Sequence, residues 1–247
     1  LSEHARFTSG QEQTELWQRA TAAIDELLKS SPQNPRRLLL QTQRALSLAA
    51  QGEHLRWQVE LFPYDETLKP RAVAAFDQAI LQLKESEKEA AEQLRKTGRR
   101  RSADADALSP YELRSLTNHL GFQIGQALVE RAKLDPAGSP DRVATLMEAE
   151  SWLSRLAKRS AEQALTLDSR LLMAESSRMR GDRKQTAAVL KSMQSENSAR
   201  ELLDRMKAVE ARLMLDEDRA TDAAQLLSRY RVERLRLPGE LQYLQIE

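Results

Sequence analysis

The sequence predicts an all-α protein in which helix–turn–helix units stack as an α-solenoid, with a long charged helix and a mobile loop inserted among them. Three observations carry this expectation. Apolar residues make up 40% of the 247 and are dominated by Leu and Ala, with aromatics at 4%; Leu and Ala are strong helix formers, and strands draw on β-branched and aromatic residues that are scarce here. Apolar positions recur at three- and four-residue spacing along most of the chain. Finally, three stretches share an outline of helix, short Gly/Asp turn and second helix: "LLMAESSRMRGDRKQTAAVLKSM", "VEARLMLDEDRATDAAQLLSRY" and "ALSLAAQGEHLRWQVEL". Such internal repetition is the sequence signature of a stacked array.

In chain order, a first helix is expected from Glu12 to Lys29, with Leu16, Ala20, Ala23, Ile24, Leu27 and Leu28 on one face and Pro32 after its end. Pro35 opens the second helix at a first-turn position, where its missing N–H costs nothing, and Gly52 is expected to close it. A short helix then carries Leu55, Val59 and Leu61 as far as the break "FPYDETLKP". From Pro70 to about Arg95 runs a long helix, apolar at Val73, Phe76, Ile80, Leu83 and Leu94 and otherwise rich in Glu, Lys and Gln. It leads into "RKTGRRRSADADALSP", whose poverty in apolar residues predicts a loop, the most mobile internal segment, over Thr97 to Leu108. Ser109, Pro110 and Glu112 stand at the N-cap, N1 and N3 positions of a capping box, and Ser139-Pro140 starts a further helix after "KLDPAG". The domain organisation read from this pattern is an N-terminal helical repeat region over 1–62, an inserted long helix and flexible loop over 63–109, and C-terminal repeats over 110–247.

The segments "ERAKLDPAG" and "EQALTLDSR" add a helix ending in Leu-Asp followed by Pro or Ser. Together with Ala174, Gly181-Asp182, Thr186 and Leu190, with Ala45 and Gly52-Glu53, and with Ala223 and Leu227, they resemble the tetratricopeptide (TPR) family, whose units are about 34 residues long. The resemblance implies helix pairs stacked into a curved superhelix that receives a peptide or partner domain on its surface. The sequence departs from that pattern in the 37-residue separation of Gly181 and Asp218, in a helix after Asp168 shorter than the family's, and in the long helix from Pro70. Small residues at 45, 49, 174 and 223, all alanine, would let neighbouring helices approach closely.

Signals for chemistry are few. There are no cysteines, which removes thiolate metal sites, disulfides and cysteine nucleophiles. His4, His54 and His119 lie far apart, none in an HExxH spacing, and each is read as structural or superficial. No P-loop, GxSxG or Rossmann glycine pattern occurs, so no catalytic residue, metal or cofactor is expected and the chain is read as a non-enzyme. "GFQIG", Gly121 to Gly125, is read as a close-packing motif, and the basic run "RKTGRRR" as a solvated loop. A net charge of +1 gives no reason to expect nucleic acid as the main ligand. No run approaches the roughly 18–20 apolar residues of a membrane span. Leu1 at the start and the clipped "LPGELQYLQIE" at the end suggest a fragment, so the compartment, cytoplasmic or extracytoplasmic, stays open.

The function expected is therefore that of a protein–protein interaction scaffold with a protein or peptide partner. Two other classes stand beside it: a helical accessory domain of a larger enzyme, and a coiled-coil element mediating self-association through the long helix. The candidate contact residues are Gln41, Arg44, Ser47 and Gln51 on the polar side of the helix after Pro35, and Glu175 and Arg178 on the corresponding helix before Gly181. The two arginines suit bidentate recognition of carboxylates. Trp57, Phe62 and Tyr64 are read as plugging the junction between repeat and insertion, with a partner pocket as the alternative.

Overall fold

The computed structural model describes residues 10–97, 107–159, 163–194 and 200–234. His4, residues 98–106 of the expected loop with most of the basic run, and the final "LPGELQYLQIE" lie outside them. Among the described residues there are nine helices and no strand: α1 Gly10–Ser30, α2 Arg37–Leu61, α3 Leu68–Thr97, α4 Pro110–Ala132, α5 Pro140–Arg159, α6 Gln163–Met179, α7 Arg183–Gln194, α8 Arg200–Asp216 and α9 Ala220–Arg234. The fold is all-α, and neighbouring helices in the chain supply most of the packing, as in a stacked helical array. The chain divides into two compact units, Leu1–Trp152 and Leu153–Glu247.

The first unit is built around α3. This helix packs along α2 on one side and α4 on another, α1 packs on α2, and α2 also meets α4. Its sequence explains how it serves two neighbours at once: Ala72, Ala75, Ala79 and Ala90 are buried together with Phe76, Ile80 and Leu83. The alanines let helix axes close up while the large residues fill the space between them. Ion pairs cross between helices here. Arg56 of α2 reaches Glu130 of α4 at 2.9 Å with both side chains largely withdrawn from solvent, Arg131 of α4 meets Asp77 of α3 at 3.1 Å, and Lys84 of α3 meets Glu148 of α5 at 2.6 Å.

Gly52 does not end a helix. The chain runs through it as a single helix to Leu61, so the stretch "ALSLAAQGEHLRWQVEL" is no helix–turn–helix unit. The reason lies in α3: a Cβ on Gly52 would stand 3.0 Å from Cγ and Cδ1 of Phe76, which is itself fully buried. A glycine inside a helix sacrifices about 1 kcal/mol of propensity, and here it makes room for an aromatic ring. The capping box of α4 forms as the sequence indicates, the Ser109 hydroxyl accepting from the Glu112 N–H while the Glu112 carboxylate accepts from the Ser109 N–H at 2.8 Å. Ser139 caps α5 in a similar way, accepting from the Arg142 N–H. Gly121 and Gly125 are both buried in α4, in keeping with a packing role.

The second unit carries an internal repeat whose period is visible in three dimensions. Shifting by 37 residues places α6 on α8 and α7 on α9. Under that shift buried positions fall on buried positions: Leu165 on Leu202, Ala174 on Ala211, Thr186 on Ala223, Leu190 on Leu227 and Met193 on Tyr230. The turns correspond too. Gly181 and Asp218 both take positive φ, 82° and 57°. The next N–H in each case reaches back to the third-last carbonyl of the preceding helix, Asp182 to Ser177 and Arg219 to Met214, both at 2.9 Å. That is the Schellman arrangement for ending a helix. Within each pair the helices pack on one another, and α6 also packs on α8. "LTLDSR" does not break the chain: Leu167, Asp168 and Ser169 lie inside α6, with the Ser169 hydroxyl returned to the Leu165 carbonyl at 2.7 Å. The helix that looked short is thus a full 17 residues.

Candidate partner-binding surfaces

Of the polar residues on α2, the structure brings Gln41 and Arg44 together in a cleft of about 280 Å³ between α1, α2 and α3, walled also by Asp25, Leu28, Gln82, Glu85, Ser86 and Glu89. Arg44 is engaged there: Nε donates to Asp25 Oδ1 at 2.6 Å and Nη2 to Oδ2 at 3.4 Å. Gln41 Oε1 is buried and has no hydrogen-bond partner. Ser47, expected on the polar side, is buried at 3% exposure, and Gln51 is half-buried outside this cleft. The cause is the crowding of α2, which contacts α1, α3 and α4 and so has little free polar face to offer.

Glu175, which is buried, and Arg178, which is half-buried, form a charge cluster at the turns of the second unit. Arg178 holds both oxygens of Glu175, at 2.9 and 3.0 Å, and reaches Asp216 at the end of α8 at 2.5 Å. Burial is the largest single influence on the Arg178 guanidinium and works against its charge. The hydrogen bonds and charges of Glu175 and Asp216 together outweigh it and hold its pKa above the ordinary arginine value. Arg183 adds a bond to the Asp216 carbonyl at 2.5 Å. The arrangement ties the turn after α6 to the turn after α8, with the guanidinium fork already filled by carboxylates of its own chain.

The aromatic residues of the α2–α3 connection stand out into solvent instead of plugging a junction. Tyr64 is 96% exposed, Leu61 70%, Phe62 59% and Trp57 47%. Their setting is ordered by hydrogen bonds. The Phe62 N–H closes the last turn of α2 onto the Gln58 carbonyl at 2.8 Å, and the Asp65 N–H returns to the Phe62 carbonyl at 3.0 Å. The Thr67 hydroxyl and N–H then donate to Asp65 Oδ1 at 2.7 and 3.0 Å, which holds the Asp65 carboxyl below its usual range. Residues 61–67 line a shallow depression of about 730 Å³. Beside it the Arg56 guanidinium stacks 4.4 Å from the centre of the Trp57 ring.

One surface was not signalled by the sequence. Between α6 and α8 a groove of about 410 Å³ has Ala164, Leu167 and Leu202 along its floor, with Asp168 and Arg205 paired across it at 2.6 Å. Asp168 and Arg205 are 37 residues apart and hold the same place in successive repeats, a relation visible only once the period is known. Among the described residues no group of three or more His, Asp or Glu is placed to hold a metal ion, and no helix is long and apolar enough to cross a membrane. In comparisons with known proteins, no protein family matches the chain, nor does any curated protein or solved structure.

Proposed function

We propose that this chain is a non-catalytic scaffold of helical hairpins that binds a protein partner, with the turn between α2 and α3 as the docking anchor. The observation that carries this reading is the exposure of Leu61, Phe62 and Tyr64 beside a half-exposed Trp57 on a hydrogen-bonded turn. Large apolar and aromatic side chains gathered on one exposed feature are the composition of binding hot spots, and an ordered turn presents them with little entropy to lose on docking. The coiled-coil alternative is less well supported, because Phe76, Ile80 and Leu83 of the long helix are buried within the first unit. The test is capture from a lysate of the source organism with immobilised chain and with a Leu61→Ser/Phe62→Ser/Tyr64→Ser variant, quantified by mass spectrometry. The variant should keep its helicity and lose a defined set of captured proteins; an unchanged set would refute the assignment.

A further inference from the structure

We infer that α9 is a hinged flap: it detaches from α8 at the turn over 217–219 while α6, α7 and α8 stay together as a three-helix core. The sequence period makes α8 the partner of α9, since these two form the second hairpin. The packing ties α8 to the first hairpin instead. Leu202, Met206 and Val209 of α8 share one buried cluster with residues of α6 and α7, Leu171 and Leu190 among them. The polar links run the same way. Arg205 of α8 meets Asp168 of α6 at 2.6 Å, and Asp216 at the end of α8 takes Arg178 on its carboxylate and Arg183, the first residue of α7, on its carbonyl.

α9 is held by less. Among the described residues its one substantial neighbour is α8, and the seam sets Leu227 and Tyr230 against Ala208 and Ala211. The 37-residue period puts Leu171 of the first hairpin where the second has Ala208, and Leu167 where it has Asp204. The α8–α9 seam thus replaces two leucines by a methyl group and a carboxylate, and it closes with a hydrogen bond from the Tyr230 hydroxyl to Asp204 Oδ1. Buried apolar area sets much of the free energy of local opening, and in a stacked array each element is held by its neighbours alone. α7, the counterpart of α9, packs on both α6 and α8, so it stays closed when α9 opens.

The experiment is native-state hydrogen exchange on the full chain, read amide by amide by NMR at low denaturant concentration. After correction for intrinsic rates, the amides of 223–230 are expected to exchange at least about tenfold faster than those of 206–213, and α8 to keep pace with α6 and α7. Tyr230→Phe removes the hydrogen bond of the seam and should quicken α9 by a further factor of about three to ten, leaving α8 unmoved. α9 exchanging no faster than α8 would overturn the inference, whether the second hairpin opens as one piece or all four helices open together. So would a Tyr230→Phe chain in which α8 quickens as much as α9. Neither reading depends on what docks at the aromatic turn.

Discussion

Replacing Gly52 with alanine sets two effects of known sign against each other. A mid-helix alanine is favoured over glycine by about 1 kcal/mol in propensity. Against this, the new methyl would lie 3.0 Å from Cγ and Cδ1 and 3.1 Å from Cδ2 of Phe76, closer than carbon–carbon contact at about 3.5–4.0 Å permits. Phe76 is 1% exposed and cannot swing away without displacing its own neighbours. Overpacking of this kind costs about 1–3 kcal/mol. The net expectation for Gly52→Ala is destabilisation of roughly 1 kcal/mol, or a fall in Tm of about 2–4 °C for a chain of this size. Phe76→Ala alone should cost about 3–5 kcal/mol, and in that background the clash is gone, so Gly52→Ala should become stabilising by up to about 1 kcal/mol. The assay is denaturant and thermal unfolding of the four proteins of the double-mutant cycle, followed by circular dichroism. If Gly52→Ala were stabilising to the same extent with and without Phe76, the ring contact would not be the reason for the glycine.

The two repeat turns make a matched pair: Gly181→Ala should lower stability by about 1 kcal/mol and Asp218→Gly should raise it by a similar amount, since only glycine takes positive φ without strain; thermal melts of the two variants check the opposite signs. Arg56→Ala should cost about 1–3 kcal/mol because it takes from the largely buried Glu130 one of its two cations and leaves only Lys133, at 2.6 Å, while Arg56→Met/Glu130→Leu should recover most of the loss; denaturant midpoints decide this. The Glu112 carboxyl is held below its usual range by hydrogen bonds from the Ser109 N–H and hydroxyl. Its contribution is therefore present above the unfolded-state pKa and lost as pH falls through the depressed folded value, so Glu112→Gln should flatten the decline in melting temperature on acidification.

What the sequence made legible was local. The capping box at Ser109 and Glu112 needs only residues three apart, and the turn at Gly181 declares itself by a glycine followed by an acid after a helical pattern. Gly52 followed by Glu53 presents nearly the same local signal, yet its role is set by Phe76, 24 residues on, and no local rule separates the two cases. The long helix was set apart from the repeats because a helix of that length has no place in a regular unit; the alanines at 72, 75, 79 and 90, buried along it between neighbours, were too small to register as a stripe. Among the candidate contact residues, Gln41 and Arg44 do line a cleft. Arg178 was readable as a polar helical residue, but its second partner, Asp216, comes from the following repeat. The aromatic turn was visible as a cluster in a chain poor in aromatics. Its exposure depends on how the turn is hydrogen-bonded, which residue identities alone do not convey.

The pairing of Asp168 with Arg205 gives the second unit a polarity. These residues hold the same rung in successive repeats, one negative and one positive, and they meet. Two copies of the first repeat stacked in this manner would bring aspartate against aspartate, and two copies of the second would bring arginine against arginine. The two hairpins are therefore not interchangeable modules: the sequence of charges along the stack works as a key that admits the second repeat after the first and resists a slip or an exact duplication in which like would face like.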